Sequence, residues 1–74
     1  MSKKIKISVV GIGLMGLQHI KAIQKSKLAS LHSIVEIKKN GIELSKKLNA
    51  PLYKNIKILL AKDKPDAVII ATPN

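Results

Sequence analysis

No cysteine occurs in these 74 residues, which excludes disulfides and thiolate metal sites. Arginine is also absent: all 14 basic residues are lysine. Phenylalanine and tryptophan are missing, and Tyr53 is the sole aromatic side chain. These gaps weigh against the nucleic-acid partner that a net charge of +10 would suggest. The lysines are spread along the whole chain rather than clustered into a patch. Without arginine there is no bidentate reader of phosphate or guanine, and one tyrosine makes no stacking platform. No apolar run approaches the roughly 18 residues of a membrane span, so no membrane association is expected. The basic start, Met1-Ser2-Lys3-Lys4, leads into an apolar stretch that is short, contains Lys6 and runs into a glycine turn. No signal peptide is therefore expected, and a cytoplasmic location is. The length lies below the usual domain size of about 100–150 residues, so the core is marginal. One small domain fits, and so does part of a larger one.

What is present is a regular change of hydrophobic period. Ile5 to Val10 alternates and then turns β-branched, the pattern of a strand. Gly11-Ile12-Gly13 signals a turn. From Leu14 to Lys25 the period becomes helical, with Gly16, Ile20 and Ile23 on one face. Leu28 to Glu36 returns to strand character. Asn40 is expected to cap a second helix, with Glu43 completing a capping box. Asn49 suits the left-handed stop and Pro51 bars continuation. Leu52-Tyr53 reads as a very short strand, Asn55 as the cap of a third helix, and Lys62 to Pro65 as a loop. Asp66 to Ala71 is continuously apolar after its first residue, as in a sheet covered on both faces. The order β-α-β-α-β-α-β predicts a Rossmann-like, doubly wound α/β fold with a parallel sheet, strand order 3-2-1-4 and right-handed crossovers.

Three features carry chemistry. Gly11, Gly13 and Gly16 form a G-x-G-x-x-G turn that follows a predicted strand and opens a predicted helix. Gly11 permits the tight exit from the strand, Gly13 lets a pyrophosphate approach the backbone, and Gly16 lets helix and strand pack closely. The free N–H groups near Leu14 and Met15 and the helix dipole favour negative phosphates. Glu36 stands twenty residues after Gly16, where a carboxylate can accept hydrogen bonds from both adenosine ribose hydroxyls. It would repel a 2′-phosphate, placing NAD ahead of NADP, although Lys38 and Lys39 act in the opposite sense. An FAD-type site remains an alternative on these residues. Thr72-Pro73-Asn74 ends the fourth strand and should border the cofactor, near the point where strand order reverses. The two histidines, His19 and His32, have no nucleophile or metal partner in the pattern and read as structural, with His19 pointing away from the phosphates. No GK[ST] follows the glycines, so a P-loop is excluded. No metal-binding and no catalytic residues are expected.

The chain resembles the N-terminal part of the Gfo/Idh/MocA oxidoreductases over essentially its whole length. The matching pieces are Val10-Gly11-Ile12-Gly13-Leu14-Met15-Gly16 followed by His19, the acid at Glu36, the Leu48-Asn49-Ala50-Pro51 helix exit, and Tyr53. The most specific is Pro65 to Asn74, similar to the family's D-x-V-x-I-A-T-P-N strand and loop. The resemblance implies that Gly11, Ile12, Gly13, Leu14, Met15, Gly16, Glu36, Thr72, Pro73 and Asn74 contact NAD(P). It also implies a parent reaction: hydride transfer between a nicotinamide and a sugar or polyol.

Some positions depart from the family pattern. Glu36 stands where aspartate is usual, and Ile37 follows it where proline or a small residue is common. The family's catalytic lysine lies in an E-K-P-type motif after the next strand. Asp63-Lys64-Pro65 resembles that motif but precedes the fourth strand, so Lys64 is not assigned to catalysis. Residues 1–74 are therefore expected to be the N-terminal part of a dinucleotide-binding domain without the substrate and catalytic domain. Such a chain would be inactive alone, and its parent is expected to be a homo-oligomer. The alternative is a short nucleotide-binding module working with a partner chain.

Overall fold

The computed structural model describes residues 4–72. Its elements are β1 (Ile5–Val10), α1 (Leu14–Lys25), β2 (Ala29–Val35), α2 (Asn40–Leu48), β3 (Leu52–Tyr53), α3 (Ile56–Lys62) and β4 (Ala67–Ile70). All strand pairs are parallel and the sheet order is β3-β2-β1-β4, as the alternation of periods predicts. Two successive crossovers step from β1 to β2 to β3, and α1 and α2 both pack onto the main core cluster. The third returns past β1 to β4 and carries α3 to the other face.

The core follows from that winding. Val9 and Ile34 alternate inward on β1 and β2. They pack with Ile12, Ile20, Ile23 and Ala29, and Leu44, Leu48 and Leu52 close the cluster. Leu59 of α3 is fully buried outside this cluster. The sheet face opposite Val9 and Ile34 carries a buried polar cluster. Ser8 and Ser33, both without solvent exposure, share a hydrogen bond of 2.6 Å. The His32 Nδ1 lies 3.2 Å from the Ser8 hydroxyl and 3.1 Å from that of Ser33. The His32 Nε2 lies 2.9 Å from Asp63, just past α3. A structural role for His32 thus has a physical form: it ties the two central strands to the end of α3. The β1–β2 ladder shifts register between Ile7 and Ser8, so His32 is an extra residue on β2 with no β1 partner.

Two local expectations change. Asn40 does not cap α2: it is the first helical residue, and Lys39 holds the cap position in a helical conformation with no side-chain bond. Ahead of the helix the Glu36 carboxylate accepts from Ile37 N–H at 3.0 Å and Lys38 N–H at 3.3 Å, while the Gly41 and Ile42 N–H groups donate to Lys38 O and Lys39 O, both at 3.0 Å. The first turn thus closes through backbone bonds and no capping box forms. The second change concerns β4, expected to be covered on both faces. Val68 and Ile69 are only half-buried, and Ile70 is 68% exposed. Among the described residues β4 is the edge strand beside β1, and no helix packs across its outer side. The other caps hold: Asn49 is left-handed at φ 54°, and the Asn55 side chain accepts from Ile58 N–H at 2.9 Å.

Candidate functional site

The carboxyl ends of β1, β2, β3 and β4 meet at one edge of the sheet. Gly11 leaves β1 at φ +91°, a left-handed backbone that side chains rarely adopt. Its N–H donates to Val35 O at 2.9 Å, while Ala71 N–H donates to Val10 O at 2.8 Å, so the turn is clamped between β2 and β4. A β-carbon on Gly11 would lie 2.9 Å from Thr72 Cγ2, and one on Gly16 would overlap the Gly11 carbonyl oxygen. These two glycines bring turn, helix and fourth strand into contact. Gly13 differs, because a β-carbon there would meet nothing within 4 Å. It is the N-terminal cap residue of α1, which has no capping side chain and no acid in its first turn. The first N–H groups of the helix cannot be satisfied within it, so they face open space with the positive end of the dipole.

Glu36 spans from β2 to this turn. Its Oε1 accepts from Ile12 N–H at 3.0 Å, while its other oxygen holds the α2 entrance. Partial burial pushes the Glu36 carboxyl up, but the N–H groups of Ile12, Lys38 and Ile37 and the Lys38 ammonium outweigh it. The net effect holds the group below the ordinary glutamate range, so it is ionised at neutral pH.

Two open cavities flank the glycine turn and share Ile70 and Thr72. One, of about 300 Å³, lies between Gly11, Glu36, Ile37, Lys54, Asn55 and Thr72. The other, of about 430 Å³, lies against Gly13, Leu14, Met15, His19 and Thr72. Together they form a groove along the carboxyl edge of the sheet, apolar with a few polar groups, as small-molecule sites are.

The structure thus gathers most of the residues singled out from sequence. Gly11, Glu36 and Thr72 border the first cavity, and Gly13, Leu14, Met15 and Thr72 the second. Ile12 contributes its N–H, while its side chain is buried in the core. Gly16 is buried and acts through packing. Pro73 and Asn74 lie outside the described residues. His19 does not point away from the groove: one helical turn after Met15 on the same flank of α1, it lines the second cavity. Lys54, Asn55 and Ile56 were not anticipated. The signal was available, because they follow β3 as Glu36 follows β2, and the carboxyl-end rule applies to every strand. Among the described residues no group of three His, Asp or Glu side chains could hold a metal ion, and no helix is long and apolar enough to cross a membrane.

Comparison with known proteins gives the same picture. Residues 5–74 match the model of an oxidoreductase family with an NAD-binding Rossmann fold. No curated protein matches the chain. Among solved structures, an NAD-binding protein from Listeria innocua is 32% identical, with a TM-score of 0.82 over 97% of this chain and 21% of that one. Scyllo-inositol dehydrogenase from Lactobacillus casei, solved with NAD(H) and scyllo-inositol, is 27% identical, with a TM-score of 0.86 over 96% of this chain and 22% of that one. The WlbA dehydrogenase from Bordetella pertussis, in complex with NADH and UDP-GlcNAcA, is 29% identical, with a TM-score of 0.85 over 96% of this chain and 22% of that one. The chain spans about a fifth of the length of these structures. With its Rossmann topology, glycine turn and family match over residues 5–74, the chain belongs to the Gfo/Idh/MocA oxidoreductase family.

Proposed function

We propose that this chain binds NAD(H) in the groove at the carboxyl edge of its sheet, through Gly11, Ile12, Gly13, Leu14, Met15, Gly16, Glu36 and Thr72. Pro73 and Asn74, which follow Thr72 in the sequence, are included. The observation that carries the reading is the ionised Glu36 carboxylate, fixed by the Ile12 N–H beside an open cavity. Each carboxylate oxygen has more than one acceptor site, so capacity remains for the ribose hydroxyls. The same charge disfavours a 2′-phosphate and so favours NAD over NADP.

The open space at Gly13 and the uncapped first turn of α1 fit a pyrophosphate. Bound NAD would supply the hydride-accepting carbon, and this chain's residues orient it and shield one side of it. The parent protein's reaction is hydride transfer between the nicotinamide and a sugar or polyol carbon. The scyllo-inositol and UDP-GlcNAcA ligands of the two dehydrogenases support that class. Residues 1–74 act as the cofactor-binding part of that soluble, cytoplasmic, homo-oligomeric enzyme and do not turn over substrate alone.

Titration of the chain with NADH, NADPH and FAD, followed by fluorescence, tests the reading. NADH binds more tightly than NADPH if it holds. Binding of FAD in preference to both nicotinamides would replace it, and no binding by a folded sample would end it.

A further inference from the structure

Gly41 lies in the first turn of α2, buried and five residues after the acid. Glycine is disfavoured in a helix relative to alanine, and the backbone here gives no reason for it: among the described glycines only Gly11 has a positive φ. The reason is space. A β-carbon on Gly41 would come within 3.1 Å of Glu36 Cβ, 3.2 Å of Glu36 Cγ and 3.2 Å of Leu52 Cδ1. All three lie inside ordinary carbon–carbon contact, about 3.5–4.0 Å. The stem of Glu36 is laid across the place where any other residue would put its side chain.

We infer that Gly41 is a positioning residue for Glu36, and that the room it leaves sets the preference between NADH and NADPH. This rests on the NAD(H) reading above. A methyl group at 41 forces one neighbour to move. Leu52 packs against the main core cluster and is paired beside Ile34 in the sheet. Glu36 is half-buried with a cavity beside it. Glu36 is therefore the neighbour that yields. A shift of a few tenths of an ångström in its stem misaligns the carboxylate with the Ile12 N–H, and so with the place where it meets a ribose and repels a 2′-phosphate.

The test is Gly41→Ala in the 74-residue chain, with NADH and NADPH titrated and thermal unfolding recorded. The expected result is NADH binding weakened about tenfold, the loss of one charge-assisted contact. NADPH binding changes less, so the NADH-to-NADPH ratio falls, and the melting temperature drops by no more than Glu36→Gln alone lowers it. In a Glu36→Ala background the same substitution changes neither affinity further, because its effect runs through the acid. A lowered melting temperature with an unchanged ratio means that Leu52 yields, and overturns the inference. So does an equal loss for both dinucleotides, or an equal effect with and without Glu36. Failure of the parent chain to bind NADH overturns the NAD(H) reading as well, whereas NADH binding indifferent to Gly41→Ala removes this inference alone.

Discussion

The Oε1 of Glu36 accepts the backbone N–H of Ile12 at 3.0 Å, so the acid after β2 and the glycine turn after β1 form one unit in the unliganded chain. The consequence is that ionisation of one side chain supports both the fold and the site. Glu36→Gln keeps an acceptor oxygen but loses the charge and adds a donor facing backbone N–H groups. NADH binding should weaken about tenfold, with NADPH gaining relative to it.

The same contact sets a pH dependence. The folded-state pKa of Glu36 is lowered, so its contribution to stability is fully present above the unfolded value, about 4.3. It is lost as pH falls through the lower folded value. Melting temperatures of the parent and Glu36→Gln chains should therefore differ at neutral pH and converge in acid. Parallel curves across that range would show that the carboxylate gains nothing from its N–H partners.

The glycines of the turn should separate cleanly by experiment. Gly16→Ala drives a β-carbon into the Gly11 carbonyl and should cost about 1–3 kcal/mol or more of stability, read from denaturant unfolding. Gly13→Ala meets open space and should leave stability within about 0.5 kcal/mol of the parent. It should still weaken NADH binding by about 1.5–3 kcal/mol, because the added methyl stands where a pyrophosphate must meet the helix N–H groups. A Gly13→Ala chain that binds NADH normally would mean that the phosphates do not pass there.

These glycines were legible in the sequence because the turn that needs them fixes their spacing. The same holds for the helix stop at Asn49 and the Asn55 cap, both local backbone events. What the pattern misjudged depends on residues brought together by the sheet. Asn40 and Glu43 have capping-box spacing, but the helix starts one residue earlier in the turn and Lys38 and Lys39 carbonyls take the first amides. His19 is assigned by helical phase, yet the groove wraps around the flank of α1. The apolar run of β4 resembles a covered strand, and its composition carries no information about whether a covering helix is in place. Gly41 acquires meaning only once β3 lies beside β2, because Glu36 and Leu52 meet over it.

The buried hydroxyl pair gives a third comparison. His32 is only 7% exposed at its side chain, while its partner Asp63 is 62% exposed. His32→Ala removes a partner from two buried serines and should cost about 1–3 kcal/mol in denaturant unfolding. Asp63→Asn keeps an acceptor in water and should cost under about 1 kcal/mol. Equal costs for the two would indicate that the His32–Asp63 contact, not the buried hydroxyl network, stabilises the sheet.

The open side of β4, together with exposed Leu14, Met15 and Ile70, predicts self-association. Sedimentation velocity of the 74-residue chain should show species that grow with concentration. A single monomer at all concentrations, with a sharp cooperative melt, would contradict this.

The register shift at His32 affects how the acid is located by counting. On β1 the ladder passes from Ile7 directly to Ser8, while on β2 it passes from Leu31 to Ser33. The interval between the glycine turn and the acid therefore contains one residue of slack, His32, which has no partner on β1. A chain shorter by that one residue could close the ladder and deliver its carboxylate to the same N–H. The ruler that links a glycine turn to its acid is the sheet, measured in paired rungs, and the residue count is only its shadow.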